Sequence, residues 1–242
     1  MPRTMLNDQH WSKLTTIFRH FNIYLKLNLR NFIEAILFRI RTGCPWRDLP
    51  QEFGKPNSIF KKYNRWSKKN KLMNIFKLFS QHADKEWIFI DGSHVRAHQH
   101  SAGIKNQDIS KSIGGNSSKI HLAIDSNGNP IEFIISDGTS HDMKIAPDLV
   151  SKLDLSESEM LCADKGYDSK SLRKQIQDSK TKPNIPRKSN TKSSNDHMDW
   201  YMYKIRHLVE NSFCRLKQFR GIATRYDKLK RNYQSAVALA CI

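Results

Sequence analysis

Lys119-Ile-His-Leu-Ala-Ile-Asp125-Ser-Asn-Gly-Asn129-Pro-Ile-Glu-Phe-Ile-Ile-Ser136 is the stretch that decides the fold class. Two isoleucine-rich runs flank Ser126-Asn-Gly-Asn129. An Asn-Gly pair accepts the positive φ that a tight turn demands, so the stretch predicts a β-hairpin. Outward from it, Trp87-Ile-Phe-Ile-Asp91 and Met160-Leu-Cys-Ala-Asp164 are short apolar runs that each end in an acid, and both read as buried strands. Pro183-Asn-Ile-Pro186 is at best a short edge strand, because its prolines donate nothing to a ladder. Met143 to Leu153 has helical spacing, and Ser169 caps a helix reaching Ser179. Residues 187–198 form a polar loop, and a helix follows from Tyr203 to Lys217. Strands alternating with helices make this part of the chain α/β.

Residues 1–83 read as all helical. Leu6 to Phe18 is one periodic segment, with Asn7 or Asp8 as its cap, and Asn31 to Arg41 is a second, stopped by Gly43 and Pro45. A third runs from a cap at Asn57 or Ser58 to Asn70. It gathers Ile59, Phe60, Tyr63 and Trp66 in one sector and Lys61, Lys62, Arg65, Lys68 and Lys69 in the other. A helix–turn–helix unit sets such a basic side against DNA phosphates; a solvated face on a helical bundle has the same pattern. The domain division expected is therefore 1–83 and 84–242.

The chain of 242 residues carries 41 Lys and Arg against 23 Asp and Glu, a net charge of +18. Such an excess points to a polyanionic partner, nucleic acid above all, while 12 Phe, 5 Trp and 7 Tyr exclude a disordered basic tail. Cys44, Cys162, Cys214 and Cys241 are too scattered for a zinc ribbon or disulfide framework. Cys162 and Cys214 are expected to be buried thiols. No run approaches 18 apolar residues and no signal peptide is visible, so the expected setting is cytoplasmic and reduced, without a membrane partner.

The segment Tyr203 to Lys217 has the form Y-x2-R-x3-E-x6-K. At 100° per residue Tyr203, Arg206, Glu210 and Lys217 fall at roughly 0°, −60°, −20° and −40°, one narrow face of a helix. Ile205, Leu208, Val209 and Leu216 form the apolar back. A single acid in a row of basic and polar groups suits holding a metal ion or a phosphate; the same row also reads as surface salt bridging, Arg206 and Glu210 being an i, i+4 pair. If the strands ending in Asp91 and Asp164 are neighbours, the acids converge and Glu210 completes the set. Three carboxylates are hard oxygen ligands, suited to Mg2+ or Mn2+. Two such ions serve phosphodiester chemistry by activating an oxygen nucleophile and stabilising the leaving oxygen. His94, His98 and His100 are the alternative metal set, for zinc. Lys165 and Asp168 beside Asp164 read as phosphate contacts or helix caps, and Arg215, Arg220 and Arg225 as part of a DNA-facing stripe or a solvated one.

Several further stretches accompany these: Gly43-Cys-Pro-Trp-Arg-Asp-Leu-Pro50, Ile90-Asp-Gly-Ser-His-Val-Arg-Ala-His-Gln-His100, Lys119-Ile-His121 with Gly128-Asn-Pro130, Ser140-His-Asp142, Ala163-Asp-Lys-Gly-Tyr-Asp168, Ile185-Pro-Arg187 and Lys217-Gln-Phe-Arg-Gly-Ile-Ala-Thr-Arg-Tyr-Asp-Lys228. Together they resemble the bacterial insertion-sequence DDE transposases, in the group whose third-acid helix carries Y-x2-R-x3-E-x6-K, over nearly the whole chain. The resemblance implies a ribonuclease H-like catalytic domain preceded by a helical, helix–turn–helix-like DNA-binding domain. It implies the triad Asp91, Asp164 and Glu210 on Mg2+ or Mn2+, with two ions, and Tyr203, Arg206 and Lys217 positioning phosphates. The implied partners are double-stranded DNA, as terminal inverted repeats and as target, and a second copy of the chain on that DNA. Two departures define a competing reading. Ser110-Lys-Ser-Ile113 is poorer in arginine than its counterparts, and such proteins usually continue the last helix beyond Ala240-Cys-Ile242. The competitor is a catalytically inactive or truncated relic that only binds DNA.

Overall fold

β1 (Trp87–Ala97) is the strand around which the α/β part is built. Its Ile88, Phe89 and Ile90 are fully buried, as a strand covered on both faces requires. The computed structural model describes residues 4–189, 191 and 193–242; residues 190 and 192 of the polar loop and residues 1–3 lie outside the described residues. Contacts divide the chain into two compact units, one of residues 1–79, 98–107 and 216–242, the other of 80–97 and 108–215.

In the second unit β1 pairs antiparallel with β3 (Gly115–Ile124) from Phe89↔Ile124 to Arg96↔Ser117. The short β2 (Ser110–Ser112) and β4 (Pro130–Asp137) also pair with β3. The β3–β4 connection is the expected hairpin: Gly128 takes φ 80°, and Asp125 accepts from the Asn127 and Asn129 amides. On its other edge β1 pairs in parallel with β5 (Met160–Cys162), and β5 with the edge strand β6 (Lys182–Asn184). Parallel strands need a crossover. Two helices provide it: α5 (Asp142–Val150) between β4 and β5, and α6 (Lys170–Asp178), capped as expected by Ser169, between β5 and β6. Leu149, Val150, Leu172 and Ile176 from these helices close a core with Ile88, Ile90 and Leu161.

The first unit holds α1 (Asp8–His20), α2 (Leu29–Thr42), α3 (Pro56–Lys68) and α4 (Lys71–Ser80). Asn7 caps α1 and Gly43, at φ 73°, ends α2, both as expected. α3 corrects the expected start at Asn57 or Ser58. It begins at Pro56 after Lys55, because proline costs nothing in a first turn that has no use for its N–H. α4 falls within the stretch expected to be all helical, although no separate segment is predicted for it. Phe18 and Phe32 pack edge-on to Trp66 at 6.2 and 5.1 Å. α9 (Arg220–Ala223) and α10 (Lys230–Ala240) complete this unit. Arg39 of α2 pairs with Asp227, both buried, through two 3.3 Å contacts, and the Tyr63 hydroxyl of α3 donates to the Asn232 carbonyl of α10. Among the described residues no helix is long and apolar enough to cross a membrane.

Gly138 lies where β4 leaves β3. A Cβ there would meet Ser117 Oγ at 1.9 Å and the Ser117 backbone carbon at 3.0 Å. Rotating the hydroxyl relieves only the first contact. Gly138→Ala is therefore expected to lower stability by about 1–3 kcal/mol, read as a lower urea midpoint; an unchanged midpoint contradicts this packing.

Candidate functional site

β1 continues to Ala97 because β3 keeps pairing with it after β5 has stopped, so Asp91 lies within a strand and not at its end, a correction to the expectation from sequence. The parallel register ends at Phe89↔Cys162, and the chain leaving β5 brings Asp164 alongside. Asp164 Oδ1 accepts from the Gly166 amide at 2.8 Å, capping the turn Lys165–Tyr167. Asp91 Oδ1 accepts from the Gly92 amide at 2.8 Å. Burial raises the Asp91 carboxyl above its ordinary range, the Asp164 charge pushes the same way, and the Gly92 amide and Arg206 only partly offset them.

The helix expected from Tyr203 to Lys217 is two helices, α7 (Trp200–Ile205) and α8 (His207–Lys217), which meet at Arg206. Arg206 N donates to Tyr203 O and Val209 N to Arg206 O, both i to i−3, so the chain tightens by a 3-10 step there. That step breaks the regular 100° spacing on which the single-face reading rested. Val209 and Leu216 are buried on the anchored side, as expected. Glu210 stands in the first turn of α8, and Arg206 Nη2 donates to its Oε1 at 2.6 Å, the anticipated i, i+4 pair. Surface pairing alone does not account for the rest: Arg206 Nη1 donates to Asp91 Oδ2 at 2.9 Å. One guanidinium thus bridges the central strand and the helix acid. Burial alone would lower the Arg206 pKa, but Asp91 and Glu210 hold it above its ordinary value. Tyr203 offers its ring to Arg206, 5.8 Å from the guanidinium carbon. Lys217 is the exposed last residue of α8 and belongs to the first unit.

Among the described residues no three His, Cys, Asp or Glu side chains stand close enough to hold a metal ion, and this includes the zinc alternative of His94, His98 and His100. The donor chemistry nevertheless fits a divalent cation: Asp91 and Glu210 share one guanidinium, and the Asp164 charge is felt at Asp91, so carboxylates outnumber the cation between them.

Behind the acids lies a layer whose parts the sequence offered only as matching stretches. Lys119 Nζ pairs with Asp142 at 2.7 Å, and the fully buried His121 sets Nδ1 3.3 Å from Asp142 and Nε2 2.8 Å from Ser136 Oγ. A Cβ on Gly92 would meet Asp142 Oδ1 at 2.6 Å and Lys119 Cε at 2.7 Å, so a larger residue there would displace the Lys119–Asp142 pair. The Tyr167 hydroxyl is pushed well above its ordinary pKa by burial and then by the charges of Asp142, Asp91 and Asp164. Asp168 does not cap α6. It accepts from Arg173 at 2.9 Å and from the Lys188 amide at 3.1 Å.

The basic residues separate. Lys61, Arg65, Lys68 and Lys69 are exposed on α3 or at its end. Lys62 instead lies over the Phe32 ring at 4.1 Å, and burial with neighbouring charges lowers its pKa. Arg215 is exposed and donates to Gly128 O, and Arg220 is exposed. Arg225 corrects the expected stripe: it is fully buried, donates to Asp227 O at 3.1 Å and stacks over Tyr233 at 5.1 Å. Cys214 is a second correction, exposed on α8, whereas burial raises the Cys162 thiol to about 11.

Residues 82–242 match the family model described as "Transposase DDE domain", and residues 6–76 match one described as "Putative transposase of IS4/5 family". A curated relative, "Putative transposase for insertion sequence element IS6501" of Brucella ovis, is 36% identical over 51% of this chain and 93% of its own length. "Uncharacterized protein y4sN" of Sinorhizobium fredii is 39% identical over 33% of this chain and 64% of its own length, so the match falls short of two-thirds of that protein. Among solved structures, a piggyBac transposase synaptic complex with hairpin DNA aligns at 12% identity and TM-score 0.39, over 77% of this chain and 50% of that one. A Mos1 transposase paired-end complex aligns at 5% identity and TM-score 0.30, over 93% and 90%. Scores of this size carry no weight for the fold.

Asp142 generates a test of the layer behind the acids. Burial would raise its pKa, but hydrogen bonds from His121 and Lys119 and the Lys119 charge bring it down to about 2. A carboxyl depressed on folding stabilises above its unfolded pKa and loses that contribution as pH falls through its folded value. Asp142→Asn is expected to lower Tm at pH 7 by roughly 2–4 °C, the shift that about 1 kcal/mol makes in a domain of this size. The gap to the parent should close between pH 4 and pH 2. Melting curves with a pH-independent gap would sink the assignment.

Proposed function

Because this chain belongs to the family of transposase DDE domains, we propose that it cuts and joins DNA strands at the terminal inverted repeats of an insertion sequence, with divalent metal ions as cofactor. The observation that carries this is the Arg206 bridge: a cation holding the strand acid Asp91 and the helix acid Glu210 together, beside Asp164. The sheet order β4-β3-β1-β5-β6, with β3 antiparallel and β5 and β6 parallel to β1, supports the ribonuclease H-like reading. We assign DNA binding to residues 1–83, catalysis to 84–242, and a second copy of the chain to the complex on DNA. A cytoplasmic setting, in which Cys44, Cys162, Cys214 and Cys241 stay reduced, is part of the same proposal.

Asp91, Asp164 and Glu210 would hold two ions, Mg2+ or Mn2+. What such ions supply is activation of water or a 3′-hydroxyl and stabilisation of the leaving oxygen. The protein's own part is positioning. Backbone amides hold one oxygen of Asp91 and one of Asp164. Asp91, raised by burial, gains from a neighbouring positive charge. Arg206 satisfies that need in the free protein, and a DNA phosphate entering the site offers the guanidinium another partner. Tyr203 limits where the guanidinium swings. Lys217 adds a point charge for the phosphate backbone. Asp142 pairs with Lys119 and stands against the His121 ring behind the strand.

Asp164→Ala should abolish Mg2+-dependent nicking of a duplex carrying the element's terminal repeat, a loss on the order of 10³-fold or more, with duplex affinity within about twofold of the parent. Folded parent protein that binds the duplex and never cuts it under Mg2+ or Mn2+ would leave the relic reading standing. Protein covalently attached to the product would reject metal-ion activation.

Replacing Lys61 and Arg65 by Ala in the full-length chain should weaken binding to all duplex sequences alike. It should also reduce the slope of log K against log salt by about 0.9 for each phosphate that is no longer neutralised. An effect confined to one sequence would indicate base reading in place of backbone binding.

A further inference from the structure

Three of the matching stretches meet at one place that the proposed chemistry does not use. Gly43 to Pro50, the end of Ile90 to His100, and Tyr226 line a cavity of about 920 Å³ within the first unit. That volume lies in the range of sites for small organic ligands, roughly 300–1,000 Å³. Gly43 permits the convergence: its φ of 73° ends α2, and a Cβ there would already touch Tyr226 at 3.5 Å and Arg220 Cβ at 3.3 Å. His98 is tied to the Tyr226 neighbourhood by its amide, which donates to Arg225 O at 2.9 Å.

The walls are aromatic. On one side Trp46 packs with Phe60, ring centroids 5.4 Å apart. On the other His98 lies 5.2 Å from Tyr226 at 35°, and Tyr226 is 41% exposed. Arg47 brings an exposed guanidinium to the cavity, Arg39 there is paired with the buried Asp227, and no carboxylate lines it among the described residues. Arg39 is buried beneath Trp46, 4.3 Å from the ring, and its Nε has no hydrogen-bond partner. Flat aromatic faces beside exposed guanidinium suit a planar base bearing phosphate. Buried cores rarely leave such rings open to solvent.

We propose that this cavity receives an unpaired nucleobase of a DNA strand, stacked between the Trp46 and Tyr226 sides, with its phosphate on Arg47. The proposal rests on the DNA-handling reading above and adds to it a subsite for a base outside the duplex. The same chemistry would accept a free nucleotide. A chain of net charge +18 favours the polymer, whose neighbouring phosphates add counterion release that a mononucleotide lacks.

The test uses full-length protein in EDTA, so that cleavage plays no part. The probes are a duplex with one unpaired 2-aminopurine and a fully paired duplex with the same base. Binding should quench the unpaired probe, and Tyr226→Ala and His98→Ala should weaken its binding roughly tenfold. Tyr24→Ala, at a residue 88% exposed and outside the cavity, should behave as the parent. Tyr226→Phe should restore the quench by keeping the stacking face, which excludes misfolding as the cause of the loss. Parent protein that binds the paired duplex without quenching the unpaired base overturns the subsite and leaves the DNA-handling reading intact. Protein that binds neither duplex overturns both. Displacement of the unpaired probe by thymidine monophosphate at probe-like concentrations overturns the claim for a strand.

Discussion

The site depends on an inequality of length. β1 carries β3 along most of its course but carries the parallel β5 only from Trp87 to Phe89. A long strand with a short parallel neighbour releases that neighbour's chain beside its own middle. Asp91 is the second residue beyond the last paired position, and Asp164 the second beyond β5's end. A longer β5 would carry its acid away from Asp91. The length of β5 is set in turn by the turn that Asp164 itself caps, through the Gly166 amide.

Charge at this place is arranged unequally. Asp142 faces Lys119 and His121 and is settled well below the usual carboxylate range. Asp91, a short step away across Gly92, is raised by burial and held by a guanidinium that it shares with Glu210. The first arrangement stabilises the folded chain; the second leaves the Asp91 carboxyl raised by burial even with the guanidinium beside it. Sites of the second kind reduce stability in exchange for a function. Gly92 lies between the two, and a side chain there would have to push Asp142 and Lys119 aside.

What could be read from the sequence was what local chemistry decides. The Asn-Gly hairpin, the Asn7 and Ser169 caps and the Gly43 stop each follow from a few adjacent residues. The acids were legible because a carboxylate closing an apolar run is conspicuous, although the run proved to be only the first part of β1. Arg225 was not legible, because its burial depends on Tyr233 and on a turn around Asp227, neither visible in its immediate run. The Lys119–His121–Asp142 layer joins a strand and a helix start brought together only by the sheet. The tightened step at Arg206 escaped because periodicity assumes an unbroken helix.

The discontinuity of the first unit bears on how the chain is made. Its helices α1 to α4 leave the ribosome early, but Arg39 awaits Asp227 and Tyr63 awaits Asn232. At about 5–20 residues per second, the intervening stretch takes on the order of ten seconds to translate. Throughout that interval α2 and α3 have no α10 to pack against. Vectorial synthesis therefore completes the α/β unit first, and the nascent N-terminal helices are the segment most open to chaperones and proteases.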